Sequence, residues 1–163
     1  MDLGSVVAAW AHWPTDWIII GAFAAIVALD TIRAGANRAS ALAIAFPIAT
    51  ILYSAIPQTF ALNTIAQQFN APIAQIALFA VLLVITYILI HRILSFYGAS
   101  SSSAIPAIVT GLAVAAVVVV FWLQIPPLQS IWHFGPQVSA VFAESYRFFW
   151  ILAAYAALAF ARS

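Results

Sequence analysis

The sequence predicts an all-α integral membrane protein, and two observations carry this prediction. Of the 163 residues, 66% are hydrophobic and only 6% are charged, whereas a soluble globular domain carries about 25% charged residues. So few charges cannot cover the surface of a water-soluble globule of this size. The apolar residues are also grouped into runs that approach the length of about 20 residues needed to cross a bilayer. The chain length fits a single transmembrane domain over 1–163.

These apolar runs predict a bundle of four to five transmembrane helices. Their approximate ranges are 17–32, 39–56, 72–90, 104–125 and 144–161. The fifth has an uninterrupted apolar run of only about 21 Å at 1.5 Å per residue, so it crosses only if the helix extends back through Arg147 to Glu144. In that position Arg147 can snorkel to the interface. A helix lying along the membrane is the alternative.

The connecting segments complete the predicted topology. Residues 3–13 are too short to cross and contain two tryptophans, which predicts a short N-terminal interfacial helix. Residues 58–70 and 124–137 are expected to form outer loops, and 98–103 a flexible turn. The ring of Pro127 is expected to forbid helix at Pro126 and so to end the fourth helix.

The arginines predict the orientation. With five crossings and the N-terminus outside, four of the five fall on one side of the membrane, which the positive-inside rule identifies as the cytoplasm. These four are Arg33, Arg38, Arg92 and Arg162. The C-terminus is then cytoplasmic, while Asp16, Glu144 and Arg147 lie near the outer interface.

Asp30 is the ionisable residue inside a predicted span, and such residues suggest function by default. Arg33 follows it at the i+3 spacing of a helical ion pair, which predicts an interfacial pair that fixes the depth of the helix. A proton or cation relay is the alternative. A relay normally needs a second acidic group at similar depth, and the other acidic residue in a predicted span, Glu144, lies at the opposite end.

The second predicted helix carries a polar face. Pro47, Thr50, Ser54 and Gln58 recur at three- or four-residue steps and therefore share one side. The hydroxyl groups are expected to satisfy the carbonyl freed by Pro47 or to bond to a neighbouring helix. A polar pore lining is the alternative, although the third helix offers few matching groups.

Small residues recur every four positions on three of the predicted helices, a spacing that permits close packing. They are Gly21 and Ala25 on the first helix, Ala107, Gly111 and Ala115 on the fourth, and Ala153, Ala157 and Ala161 on the fifth.

Composition and motifs argue against catalysis. The chain has no cysteine, and the predicted topology puts His91 on the side opposite His12 and His133, so the histidines cannot share a metal ion. No catalytic or nucleotide-binding motif is present, and no basic stripe suggests nucleic acid. We therefore predict a non-enzymatic protein with no catalytic, cofactor-binding or metal-binding residues.

The N-terminal third carries a family resemblance. Asp16 begins an aliphatic helix with the sequence DWIII, and IRAGANR over 32–38 forms the turn before the second helix. Ala71-Pro72 and the helix around Gly111 are loosely similar as well. These features resemble the colicin V production protein family of small multi-pass bacterial inner-membrane proteins. In that family a glycine follows the first arginine of the turn and a glutamate follows the second. Here Ala34 follows Arg33, with Gly35 one place later, and Ala39 follows Arg38.

The resemblance implies a bacterial inner membrane and a role in envelope physiology or toxin export, but no reaction. The leading hypothesis is a protein that acts through contacts with other membrane components. One alternative is a small accessory or structural subunit of a larger membrane complex, and another is a small channel, holin or transporter. The expected partners are the lipid bilayer and other membrane proteins or further copies of the chain. The candidate polar residues are Asp16, Asp30, Arg33, Arg38, Thr50, Ser54, Arg92, Glu144 and Arg147.

Overall fold

The computed structural model describes residues 15–58, 71–95 and 104–161, and every regular element in these ranges is helical. In chain order the α-helices are α1 (Thr15–Ala34), α2 (Ala36–Ala55), α3 (Pro72–Ser95), α4 (Ala104–Trp122), α5 (Pro126–Gln129), α6 (Pro136–Val141) and α7 (Arg147–Ala161). Single 3₁₀ turns follow α2 at Ile56–Gln58 and precede α7 at Glu144–Tyr146. The predicted interfacial helix 3–13, the loop residues 59–70, the turn 98–103 and Arg162 lie outside the described residues.

Helices α1 to α4 are each long and apolar enough to cross a membrane. The all-helical fold with several potential spans is therefore confirmed, and the helices begin within three residues of their predicted starts. The predicted fifth span corresponds to the second 3₁₀ turn and α7. Because the 15 residues of α7 measure only about 22 Å, its crossing of the membrane stays a prediction.

The predicted end of the fourth helix is wrong in detail. α4 ends at Trp122, and the next backbone bonds tighten to three-residue steps, from Gln124 to Phe121 and from Ile125 to Trp122. Ile125 is extended, as expected of a residue before proline. Pro126 is nevertheless the first residue of α5, because proline at that position has the φ of a helix and needs no hydrogen-bond acceptor.

A single glycine connects α1 to α2. Gly35 has a φ of 83°, a left-handed conformation that side chains with a Cβ rarely adopt. Its N–H donates to the carbonyl of Thr31 at 3.0 Å and closes the end of α1. α2 therefore begins at Ala36, so the last turn of α1 and the first turn of α2 lie side by side.

α4 is the central helix and packs against α1, α2 and α7. At Gly111 the backbone of α4 lies directly against α1. A Cβ added to Gly111 would overlap the carbonyl oxygen of Ala24 and lie 3.0 Å from the Cβ of Ala28. Small residues on both helices therefore let the two backbones meet, a packing mode that is common between membrane helices.

The three predicted small-residue faces have different outcomes. On α4 the face is correct, because Ala107, Gly111 and Ala115 are all buried. On α1 it is wrong: the packed residues are Ala24 and Ala28, whereas Gly21 has no atom within 4 Å of a Cβ built on it. On α7 the buried residues are Ala154 and Leu158, next to the predicted face. Alanine-rich helices offer several four-residue repeats, and the neighbouring helix selects among them.

α3 packs on the outside of α2 through aromatic rings. The ring of Phe79 lies 5.7 Å from that of Phe46 and 5.9 Å from that of Tyr53, both in edge-to-face geometry. Such pairs stabilise packing beyond the area that they bury. Most of the remaining α3 surface is apolar and exposed.

α7 supplies a hydrogen bond that α2 cannot make for itself. Pro47 has no N–H, so the carbonyl of Ala43 loses its usual partner one turn later. The hydroxyl of Tyr155 donates to this carbonyl at 2.9 Å. The expectation that Thr50 or Ser54 satisfies it is therefore wrong, and the donor comes from a helix 112 positions away in the sequence.

The crossing at Gly111 generates the first prediction. Gly111→Ala should destabilise the bundle by about 1–3 kcal/mol, the usual cost of overpacking. Gly21→Ala is the matched control and should cost nothing, because its Cβ meets open space. Unfolding of both variants in mixed micelles measures the difference. Equal stability of the two variants would contradict the close contact between α1 and α4.

A double-mutant cycle tests the bond to Ala43. Tyr155→Phe should cost about 0.6 kcal/mol, the average for an interhelical hydrogen bond in a membrane protein. In a Pro47→Ala background the restored N–H can donate to Ala43, so the same change should cost less. Tyr146→Phe, at an exposed tyrosine, is the control. An unchanged cost in both backgrounds would show that Tyr155 does not replace the missing donor.

Candidate functional site

At the start of α1, Asp16 fixes a distant loop. Its side chain is only 8% exposed. One carboxylate oxygen accepts a hydrogen bond from the indole of Trp132 at 3.1 Å, and the other accepts one from the backbone N–H of Gly135. The N-terminus of a helix also favours a negative charge. We call these three residues the Asp16 anchor.

The loop held by the Asp16 anchor is compact because its residues form hydrogen bonds with one another and with the end of α4. The side-chain amide of Gln129 donates to the carbonyl of Leu123 at 2.6 Å, and the indole of Trp122 donates to the carbonyl of Trp132 at 3.2 Å. The ring of Phe134 lies edge-on to Trp122 at 6.3 Å. The predicted loop over 124–137 therefore contains regular structure that the sequence analysis did not predict, α5 and the start of α6.

Beneath this loop lies an apolar cavity of about 330 Å³. It lies between the loop, the first half of α1 and the last turns of α4. Its lining residues are Ile19, Ile20, Phe23, Ala115, Val118, Val119, Trp122, Trp132 and Phe134. Such a cavity offers only nonpolar and aromatic contacts and holds no group suited to acid–base or nucleophilic chemistry.

Glu144 and Arg147 lie near the same end of the bundle but do not complete the Asp16 anchor. Arg147 donates through Nε to the carbonyl of Phe142 at 3.3 Å, and Glu144 is exposed. The indole of Trp150 donates to Val141 at 2.8 Å. These bonds attach the start of α7 to the end of α6.

At the opposite end of the bundle, Asp30 on α1 forms an ion pair with a residue of α2. The guanidinium of Arg38 lies 3.6 Å from the carboxylate of Asp30. The predicted partner, Arg33, is exposed and makes no ion pair with Asp30 in the described structure. Gly35 explains the difference, because it brings the first turn of α2 beside the last turn of α1, and the two side chains meet across the junction.

Asp30 and Arg38 lie on one side of an open groove of about 430 Å³ between α1, α2 and α3. We call it the Asp30–Arg38 groove. Its other lining residues are Ile26, Val27, Ala39, Leu42, Leu83, Val84 and Tyr87. Arg92 lies in the last turn of α3, just beyond Tyr87, so it belongs to the same end of the bundle as Arg33 and Arg38.

Four hydroxyl groups on the long helices bond to carbonyls of their own helix, whereas the hydroxyl of Ser40 on α2 is buried without a hydrogen-bond partner. Thr50 donates to Phe46 at 2.9 Å and Ser54 to Ile51 at 2.8 Å. Both expected acceptors for these two hydroxyls, the carbonyl freed by Pro47 and a neighbouring helix, are therefore wrong, and Ser54 is exposed. On α1 and α3, the hydroxyls of Thr31 and Thr86 likewise donate to carbonyls of their own helices, those of Val27 and Leu82.

Sequence reasoning identified Asp16, Asp30 and Arg38 as candidates but not their partners. Trp132, Gly135 and Tyr155 act across more than 100 positions. The aromatic patch WHF over 132–134 is the sequence feature that could have indicated an ordered loop at this position. In the described ranges no group of three or more His, Asp or Glu side chains is placed to hold a metal ion.

The Asp16 anchor generates a prediction about the loop. Asp16→Ala should raise the amide hydrogen-exchange rate of Gly135 and its neighbours, because hydrogen bonds to a charged group contribute about 1.5–3 kcal/mol each. A rate increase of about tenfold or more is therefore expected. Asp16→Asn should have a smaller effect, since it keeps one acceptor oxygen.

Glu144→Gln is the matched control, because it removes an exposed carboxylate close to the same loop. It should leave exchange at Gly135 unchanged. If both variants loosened the loop equally, general loss of negative charge would explain the effect and the specific bonds to Asp16 would not.

Comparisons of the chain with protein-family models, with curated proteins and with solved structures found no match. The geometry of the Asp16 anchor, the Asp30–Arg38 groove and the helix surfaces therefore supplies the basis for a functional proposal.

Proposed function

We propose that the protein is a non-enzymatic multi-pass membrane protein that acts through lateral contacts with other membrane proteins, as a structural or accessory component of a cell envelope. One observation carries the proposal. The hydroxyls of Thr31, Thr50, Ser54 and Thr86 bond to their own helices, so they are not directed at a solute path. What the long helices offer to their surroundings is apolar surface.

The outer surface of α3 is the largest part of this apolar surface. α3 has the highest mean hydropathy of the four long helices, 2.7, and it packs mainly against α2. Seven large aliphatic side chains on it are exposed by half or more. They are Ile73, Val81, Val84, Ile85, Ile88, Leu89 and Ile93. We propose this face as the contact surface for an apolar helix of a partner.

A channel or transporter fits the arrangement less well. A water-filled path needs polar or charged groups that line it. The buried core is mainly apolar, and the buried polar side chains of the described residues are spread over four helices: Asp16, Thr31, Asn37, Ser40, Thr86 and Thr110. The Asp30–Arg38 pair lies at one end of the bundle and is about half exposed. An anchoring role for this pair therefore accounts for the two charges without a relay.

The proposed location is the inner membrane of a bacterium, with the arginine-rich end of the bundle in the cytoplasm. The presence of Arg33, Arg38 and Arg92 at one end supports this orientation. The Asp16 anchor and its aromatic loop then lie at the outer interface, where tryptophan is favoured. The resemblance to the colicin V production protein family, and the role in export that it implies, stay predictions.

Site-specific photo-crosslinking in native membranes tests the contact surface. The chain has no cysteine, so Ile88→Cys can be labelled with a benzophenone maleimide without background. We expect ultraviolet light to produce an adduct with another membrane protein. Leu29→Cys is the control: Leu29 on α1 has nearly the same exposure, 55% against 56%, but it adjoins Asp30, which an apolar partner helix would not cover.

Two results would contradict the proposed function. One is a protein that is monomeric after gentle detergent extraction and gives no adduct at either position. The other is a homo-oligomeric ring in which Thr50→Cys reacts with water-soluble thiol reagents, because such a ring would indicate a channel.

A further inference from the structure

We propose that the Asp30–Arg38 groove binds one anionic phospholipid, with the phosphate on Arg38 and an acyl chain along the apolar lining between α1 and α3. The proposal joins two observations, an exposed guanidinium at one end of the groove and an almost wholly apolar surface leading away from it. It concerns lipid and not a partner protein, and of the seven α3 residues proposed to contact a partner helix only Val84 also lines the groove.

The charges at this end of the bundle favour an anion. Arg38 is 54% exposed, and its only ion pair in the described structure is the one with Asp30 at 3.6 Å. A tight charge-assisted bond is about 2.7–2.9 Å long, so this pair is loose. A guanidinium has five N–H donors in a planar fork that matches a phosphate. Arg33 and Arg92 add positive charge at the same end.

The lining of the groove favours a lipid over a soluble anion. Beyond the charged pair it consists of aliphatic side chains and Tyr87, and its volume of about 430 Å³ lies in the range of binding sites for small ligands. Val27 and Leu42 lie on α1 and α2, and Val84 faces them from α3. A free phosphate would gain nothing from these residues, whereas an acyl chain is complementary to them.

The depth of the charged pair fits a headgroup. Asp30 lies four residues before the end of α1 at Ala34, which is about 6 Å along the axis. Arginine can extend from such a depth to the phosphate level while its methylene groups remain in the apolar region. Basic pockets between membrane helices bind anionic headgroups in this way. The Asp30 carboxylate repels the phosphate and therefore limits the preference of the groove for an anionic over a zwitterionic lipid.

The number and type of lipids that the purified protein retains test the proposed site. Full-length protein in detergent is delipidated and then equilibrated with phosphatidylglycerol and phosphatidylcholine of identical acyl chains, and the bound lipid is counted by native mass spectrometry. We expect the wild type to retain one phosphatidylglycerol with a preference of about fivefold, the effect of one arginine near a lipid surface. Arg38→Gln should abolish the preference.

Asp30→Asn separates lipid binding from a structural ion pair. It removes the competing carboxylate and should increase the preference for phosphatidylglycerol, opposite in sign to Arg38→Gln. Arg147→Gln, at the other end of the bundle, should leave the preference unchanged. If Asp30→Asn and Arg38→Gln both lowered retention equally, the pair would only hold the helices together and the proposal would be wrong.

A second matched pair tests the acyl chain. Val84 and Ile85 are neighbours on α3 with similar exposure, 55% and 51%, but only Val84 lines the groove. Val84→Trp should fill it and reduce retention of both lipids, while Ile85→Trp should not. The proposal is overturned if the two variants behave alike, or if glycerol 3-phosphate without acyl chains displaces phosphatidylglycerol at equal concentration.

Discussion

The contact between α1 and α4 at Gly111 is the constraint on which the other features depend. Ala24 and Ala28 meet Gly111 near the middle of α1. Asp16 and Asp30 lie on either side of this crossing, about 21 Å apart along the helix axis. Because α1 is a continuous helix, the crossing fixes both carboxylates at once: one beneath the loop after α4, the other beside the start of α2.

Backbone hydrogen bonding explains why α7 belongs to the bundle. In a bilayer an unsatisfied carbonyl is costly, because no water is present to bond to it. Pro47 creates such a carbonyl at Ala43 in the middle of α2, and Tyr155 satisfies it from α7. α7 is short for a membrane span, but this bond and its packing against α4 give it a defined place.

The two ends of the bundle have different chemical characters. At one end a buried carboxylate, aromatic rings and backbone amides hold a compact loop over an apolar cavity. At the other an exposed ion pair borders an open groove, with further arginines nearby. The first arrangement is suited to holding structure at an interface, and the second to meeting a charged ligand from the membrane. This asymmetry and the apolar surface of α3 are the observations on which the proposal of a protein that acts by contact rests.

The sequence by itself determined the helical fold and the approximate positions of the long helices, because length and hydropathy act locally along the chain. It also identified Asp16, Asp30 and Arg38 as unusual, since charges are rare in so apolar a sequence. Only the tertiary structure decided what these residues contact. Arg33 and Arg38 are both near Asp30 in sequence, and the conformation of Gly35 selects Arg38. The partners of Asp16 and Ala43 are more than 100 residues away, and the choice among the alanine faces depends on which helix lies opposite. Such contacts follow from how the helices cross, which no local pattern of residues specifies.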